Sequence, residues 1–293
     1  MQWLERTLSD IPEHYPVVIV DNASTDTTVS YIKKHYPQHI LFEETTNLGF
    51  GQANNKGIAH ALSQDATAVF LLNQDAYLEP DTIQLLEERS DENPAYGILS
   101  PVHYNGDGTT LDNFFSRYMA HSRVPRFYRD AIRQEFQPIY EVSFVNAAAW
   151  YIPKHILETI GGFDPIFFHY GEDDNYIQRL VFHDFKVGVV PASTIYHDRG
   201  DRKRLKPKAF STTYFKNVER LYKVRYANIG LPDFDNQITQ QQTVLLKHAL
   251  KSSVRLQWRR SAGYLKERKL LKQWAQEMIN SRQQNKSKGA HYL

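Results

Sequence analysis

The stretch FLLNQDAYL, Phe70 to Leu78, carries an apolar run that begins at Ala68 straight into Asn73-Gln74-Asp75 and resumes with Tyr77 and Leu78. A buried strand that ends by placing one carboxylate in a loop is half of a site. The surrounding pattern says what sheet holds it. Upstream lie PVVIV (16–20) and HILF (39–42), and downstream YGILS (96–100). The segments 25–35, 51–64 and 80–90 have helical length, with Pro80 suited to a first helical position. Strands apolar on both faces and separated by helices imply a parallel sheet covered on both sides. The expected fold is an α/β layer of the nucleotide-binding kind.

The 293 residues, 41% hydrophobic, suffice for one large domain with an extension. No window approaches the roughly eighteen apolar residues of a membrane span, and MQWLERTLSD has no basic start followed by an apolar run, so the expected location is the cytoplasm. The absence of cysteine excludes disulfides and thiolate metal sites, leaving Asp, Glu and His as metal ligands. Charge is divided unevenly. Residues 243–293 carry twelve Lys or Arg and two Glu, a net +10, while residues 1–242 carry a net −8.

In open parallel sheets, ligands bind at the carboxyl ends of the strands. Three polar clusters fall there: Asp21-Asn22 after VVIV, Asp75 after VFLL, and GEDDN (171–175) beyond the second half of the sheet. Carboxylates converging on one edge suit a metal–diphosphate site, because a divalent cation neutralises phosphate charge that the acids repel. The plainer reading, that each acid caps a helix, stays open. Ser24 or Thr25 can cap the helix after Asp21, and Asp26 favours its first turn. NLGFGQANNKG (47–57) has a glycine pair before a helix but lacks the third glycine of a dinucleotide fingerprint.

PVVIVDNASTDTT, NLGFGQANNKG, LLNQDAYLEPD, GGFDPIFFHYGEDDNYIQRL and IYH occur in the order and spacing of the family 2 glycosyltransferases. The chain resembles their rhamnosyltransferase-like branch over about residues 1–225. The resemblance implies a GT-A-type, Rossmann-like, mostly parallel sheet with helices on both faces, and a helical C-terminal extension. It implies inverting transfer of a sugar from a nucleoside diphosphate sugar (dTDP or UDP) to an acceptor hydroxyl, with Mg²⁺ or Mn²⁺ on the diphosphate. Such chemistry serves cell-surface polysaccharide or glycan synthesis, on a glycan or lipid-linked acceptor.

Carried onto this sequence, Asp21 resembles the acid that reads the base or ribose, with Asn22 beside it. Asn47, Asn54 and Asn55 lie in the segment that lines the donor pocket. Asp75 matches the last carboxylate of a D-x-D-type element, the one that touches the metal; Asn73 stands at its first position and leaves the ion fewer charged ligands. His197 falls where relatives place a metal-reaching histidine. In GEDDNY the resemblance points to Asp173 as the base that takes the acceptor proton, with Glu172 nearby. A crowd of carboxylates raises the pKa of one of them, although acids also simply favour a helix start. HDRGDRKRLKP (197–207) reads either as a basic lid over the diphosphate or as a solvated loop.

The family begins with an apolar strand ahead of its first helix, and MQWLERTLSDIPEHYP reads as that helix without the strand. The expected division is a GT-A-like domain over 1–208 lacking that strand, and a basic, mostly helical extension over 209–293. Leu271, Trp274, Ala275 and Met278 recur at helical spacing, as do Leu250, Val254 and Trp258, with Lys and Arg between them. Such helices either lie on an anionic membrane surface, at the inner face of the plasma membrane, or pack on the body; nucleic acid is not expected as a partner. Two competing readings are a degenerate scaffold, motivated by Asn73 and the missing strand, and a nucleotidyltransferase. The latter requires a basic phosphate loop at the first strand, where none stands.

Overall fold

The computed structural model describes residues 2–200 and 206–293. Helix α1 (Leu4–Ser9) precedes β1 (Val18–Asp21), which PVVIV supplies, and α2 (Thr28–His35) leads to β2 (Ile40–Glu43). Helix α3 (Phe50–Ser63) connects to β3 (Ala68–Leu72), followed by β4 (Ala76–Leu78), α4 (Thr82–Glu92) and the long β5 (Tyr96–Asn105). After β5 come two short helices, α5 (Asn113–Tyr118) and α6 (Pro125–Arg133). Then come β6 (Tyr140–Val142), β7 (Ala149–Pro153), α7 (Lys154–Ile160), α8 (Glu172–Phe182) and β8 (Lys186–His197). Helices α9 (Thr212–Tyr226), α10 (Phe234–Val254) and α11 (Trp258–Asn285) complete the chain.

Strand direction sets the edge on which chemistry can gather. The larger sheet has the order β3-β7-β5-β8-β4, with β6 also paired to β8. Strand β7 runs antiparallel to both β3 and β5, and β8 runs parallel to β5, so β3, β5 and β8 all point the same way. Their carboxyl ends share one edge. Strand β4 turns back against β8 with Ala76 opposite His197, and this register brings Asp75 beside the last residue of β8.

The parallel arrangement read from the sequence holds for β1–β2 and β5–β8. The run EVSFVNAAAWYI divides into β6 and β7, and β7, inserted between β3 and β5, makes the larger sheet mixed. Its alternate residues feed both faces: Trp150 and Ile152 enter one core, Ala149 and Tyr151 the other. Full burial of large side chains such as Ile152 contributes about 1.5–3 kcal/mol each, which holds β7 between β3 and β5. Pro80 stands two residues ahead of α4 rather than in its first turn. Thr82 Oγ1 acts there instead, accepting the Glu79 N–H (3.0 Å) and donating to Thr194 O (2.7 Å).

Strands β1 and β2 form a separate two-stranded sheet. Among the described residues, β1 has only β2 and β3 only β7 as strand partner, and the other edges of both face one cavity of about 2540 Å³. Helices bridge the gap. In α3, Gly57 lies against Val18 and Val20 while Ile58 enters the main core. In α1, Leu4 and Leu8 pack with Val17 and Ile19, and Thr7 Oγ1 donates to Gln74 O (2.6 Å).

Helices α9, α10 and α11 share a further core in which Leu271, Trp274 and Met278 meet Tyr226 and Leu245. That face, one of two read as suited to a membrane, is therefore occupied by the body; Leu250, Val254 and Trp258 are exposed. The end of α11 returns to the turn GGFDP. Asp164 Oδ2 accepts from Ser281 Oγ (2.6 Å), Asn285 Nδ2 (2.8 Å) and Tyr292 OH (3.3 Å). Arg179 of α8, fully buried, donates to Ile160 O, Gly162 O and Asn285 Oδ1. A strand pair held by one ladder opens more readily than a sheet buried on both faces. Amides of β1 and β2 are expected to exchange with deuterium on the order of tenfold faster than those of β5, β7 and β8; equal protection in a mass-spectrometric exchange series contradicts this.

Candidate active site

The cavity between β1 and β3 continues over the carboxyl ends of the strands, and every site residue expected from the sequence borders it or packs beneath it. Asp21, buried at the end of β1, accepts the Ser24 N–H through Oδ2 (3.0 Å). Asn22 engages both ends of its amide: Oδ1 accepts from Leu48 N–H (2.7 Å) and Nδ2 donates to Gly49 O (3.1 Å). Asn47 Oδ1 accepts the Gly49 N–H (2.8 Å). Together these bonds fix the 47–49 turn. Gly49 sits at φ 82°, and a Cβ there would lie 2.0 Å from Phe168 O, so only glycine lets the turn approach the 163–171 segment. Asn54 Nδ2 donates to Phe50 O (2.9 Å) within α3, and the buried Asn55 is joined by two bonds to the Phe163 backbone. Asn22 and Asn47 fix the 47–49 turn, and Asn55 ties α3 to the segment that carries the acids.

On the opposite wall, Asp75 Oδ1 lies 3.5 Å from His197 Nε2, both side chains largely buried. Asn73 heads the same turn and donates its N–H to Ala148 O (2.9 Å). The His197 Nδ1 is buried, makes no hydrogen bond among the described residues, and lies 4.0 Å from Asp112 Oδ2. Asp112 and Arg199 were not singled out from the sequence. Asp112 caps α5 by accepting the Phe114 and Phe115 N–H groups (2.9 Å each) and takes both Arg199 Nε (3.0 Å) and Nη2 (2.8 Å). Arg199, in the segment read either as a basic lid or as a solvated loop, is clamped by Asp112 and lies over the Phe114 ring (4.4 Å). Residues 201–205 of that loop lie outside the described residues. Beneath His197, His103 packs edge-on to it (6.0 Å) and stacks on Phe115. Burial first, then the neighbouring His197 and Arg199, hold His103 well below the usual histidine range, so it is a neutral spacer.

Asp75 and His197 fit a divalent ion of a particular kind. Two ligands bound at 2.0–2.1 Å on adjacent octahedral positions stand about 3 Å apart, close to the 3.5 Å seen. Among the described residues no group of three or more acidic or imidazole side chains converges on one point. Mg²⁺-type ions are commonly held by one or two protein groups plus substrate phosphates, so the pair suits an ion that a diphosphate completes.

The third wall is the start of α8. Gly171 at φ 97° turns the chain into the helix, where a Cβ would meet Val224 at 2.6 Å. Burial chiefly, then the Asp174 and Glu172 carboxylates, push Asp173 up to about 7. Burial also raises Glu172, whose Oε2 has no hydrogen-bond partner among the described residues. Asp174 is raised by burial as well, against the opposing charge of Arg220 from α9. Tyr118, facing the same acids, is pushed up to about 12, mainly by burial and then by Asp173. A carboxyl that titrates near neutrality can both take and hold a proton.

The sequence profile of glycosyl transferase family 2 matches residues 2–160, more than half of the chain. The chain belongs to that family. As a family 2 glycosyltransferase it transfers a sugar from a nucleotide-sugar donor. This glycosyltransferase is 25% identical over 224 residues to the N-acetylglucosaminyl-diphospho-decaprenol L-rhamnosyltransferase of Mycobacterium tuberculosis, a match covering 69% of this chain and 72% of the relative. The UDP-GlcNAc complex of residues 1–349 of S. aureus TarS resembles it with a TM-score of 0.51 at 14% identity, over 97% of this chain and 87% of the other. GalNAc-T7, solved with UDP, GalNAc and Mn²⁺, gives 0.52 at 16% identity over 80% of this chain. The glycosyltransferase spans about half (51%) of the GalNAc-T7 chain. At these identities the likeness establishes the GT-A fold.

Removing Asp112 takes the acceptor from the buried Phe115 amide and the partly buried Phe114 amide, and takes the carboxylate from the partly buried Arg199 guanidinium. Asp112→Ala is expected to lower the unfolding free energy by about 1–3 kcal/mol in urea titration, with Asp112→Asn, which keeps the cap, losing less than half of that; equal losses in the two variants contradict the cap on α5.

Proposed function

We propose that this glycosyltransferase inverts the anomeric centre in a single metal-dependent displacement, with Asp173 as base and Asp75 and His197 as the metal-holding pair. The observation that carries this reading is that one cavity is lined by Asp75 and His197 on one side and by Asp173, titrating near 7, on another. The Asp173 carboxylate takes the acceptor hydroxyl proton as the acceptor oxygen bonds to the anomeric carbon. The bond from that carbon to the diphosphate oxygen breaks on the opposite face, and the nucleoside diphosphate departs with the electron pair. Mg²⁺ or Mn²⁺, when bound, supplies positive charge for the leaving diphosphate. Glu172 and Asp174 keep the proton on Asp173 after transfer by like-charge repulsion. Asp21 lies at the strand end where the base or ribose of a dTDP or UDP sugar is read, with Asn22, Asn47 and Asn54 shaping that side, and Asn73 accompanies Asp75.

The mycobacterial relative is named for a diphospho-decaprenol acceptor bearing N-acetylglucosamine. We take the acceptor here to be of the same class, a lipid-linked glycan in cell-surface polysaccharide synthesis, and the site of action to be the cytoplasm at the inner face of the plasma membrane. No helix among the described residues is long and apolar enough to cross a membrane. Residues 1–208 act as the catalytic domain, and 209–293 as an extension that clamps the turn before α8.

Because two protein groups hold the ion, Mn²⁺ is expected to bind weakly alone and tightly with UDP or dTDP. In calorimetric titration Asp75→Ala abolishes the metal dependence of nucleotide binding; affinity indifferent to metal and mutation sinks the metal assignment. Asp173→Asn is expected to lower kcat by 10²–10⁴-fold with donor affinity within about twofold. The wild-type rate rises through about pH 7 as Asp173 ionises. The stability sign is opposite. A carboxyl raised in the folded state contributes stability below its unfolded pKa of about 4, and loses it as pH rises through about 7. Asp173→Asn should therefore melt about 2–4 °C higher than wild type at pH 8, and a lower melting point removes the assignment of a buried charge. Absence of any transfer by the wild-type chain favours the degenerate-scaffold reading.

A further inference from the structure

The α10–α11 hairpin ends in a surface that is both apolar and basic. Residues 254–260, Val-Arg-Leu-Gln-Trp-Arg-Arg, are exposed without interruption. Val254 is 85% exposed, Leu256 73%, Trp258 64%, and Leu250, one turn back on α10, 58%. Single exposed apolar residues need no explanation, but four on one tip form a patch that a monomer seldom leaves to water. The backbone aims them outward: Leu256 adopts φ 57°, a left-handed conformation that a bulky residue rarely takes. Lys247, Lys251, Arg255, Arg259 and Arg260 are exposed around the apolar group. Charge is one-sided throughout. Residues 236–266 contain six Lys or Arg and no Asp or Glu.

We propose that this tip docks on an anionic lipid bilayer, with Leu250, Val254, Leu256 and Trp258 entering the headgroup boundary and the cations meeting lipid phosphates. Apolar residues with Trp at the apex and a ring of arginine and lysine match such a surface in both polarity and sign. A second copy offering the same tip would set five cations against five. The tip is also coupled to the site. Gly263 lies against Phe210, where a Cβ would sit 2.3 Å from the ring, and Lys266 lies over Phe215 (4.7 Å), at the start of α9. Helix α9 carries Arg220 to the acids of α8. A docked hairpin would therefore hold the acceptor side of the cavity near the membrane. This adds a location to the lipid-linked acceptor proposed above but is argued from the tip alone.

The test is flotation of the full chain with vesicles of phosphatidylcholine containing about 30% phosphatidylglycerol, against vesicles of phosphatidylcholine alone. Wild type is expected to float with the anionic vesicles and to be released by high salt. At a contribution of about fivefold per arginine, R255Q/R259Q/R260Q should bind on the order of a hundredfold more weakly, and L256S/W258S should also lose binding. Because all five side chains are exposed, melting temperatures should stay unchanged. No wild-type flotation, equal flotation of wild type and both variants, or a dimer that buries the tip and does not float, overturns the proposal. Release of nucleoside diphosphate from donor in solution should be the same in wild type and both variants, so failure of the docking and failure of the catalytic reading are separately visible.

Discussion

The direction of β3, β5 and β8 is the constraint from which the rest follows. Because β7 is antiparallel to both β3 and β5, and β8 is parallel to β5, their carboxyl ends open on a single edge. Side chains far apart in sequence then arrive together with no long-range attraction between them being required. Like charges gathered in this way repel, so the fold must separate them. It does so by distributing them over walls: Asp21 under the 21–24 turn, Asp75 against an imidazole, Asp112 against a guanidinium, and the α8 acids at a helix start.

At the start of α8 two effects oppose each other. The helix dipole favours an ionised carboxylate, but its 0.3–1 kcal/mol moves a pKa by less than one. Burial and two flanking acids act the other way, and Asp173 ends about three above an ordinary aspartate. Arg220 lies beside Asp174 and Glu172 and tempers them. The middle acid of the three therefore carries most of the shift. A carboxyl of this kind is made by its burial, and then by its neighbours, more than by its own type.

Much of this arrangement was legible in the sequence because it depends on local features. The apolar runs PVVIV and AVFLL locate two strand ends, and their last residues fall within one residue of the ends of β1 and β3. The nearness of Asp75 and His197 follows once β4 is known to turn back on β8, yet nothing local in AYL announces its partner. Asp112 was missed for a similar reason. NGDGTTLDN reads as a turn, and the Asp that caps α5 there gains its second role only through Arg199, 87 residues later. The asparagines show the reverse. Their residue type suggests ligand contact, whereas Asn22 and Asn55 spend both ends of their amides on backbone. In β7, the even mixture of Trp, Ile, Ala and Tyr conceals direction, since an apolar run pairs equally well either way.

Asp164 meets Ser281 across 117 residues and Tyr292 across 128. Loop closure over such lengths adds little to the equilibrium, since each doubling costs only about 0.6 kcal/mol, but it orders events in time. At about 5–20 residues per second, a ribosome takes roughly 6–26 s to travel from Asp164 to Tyr292. During that interval β1, β2 and β3 are already synthesised while the turn ahead of α8 still lacks its anchors. The growing chain thus completes the Asp21 wall of the cavity before the wall that bears Asp173 is held in place.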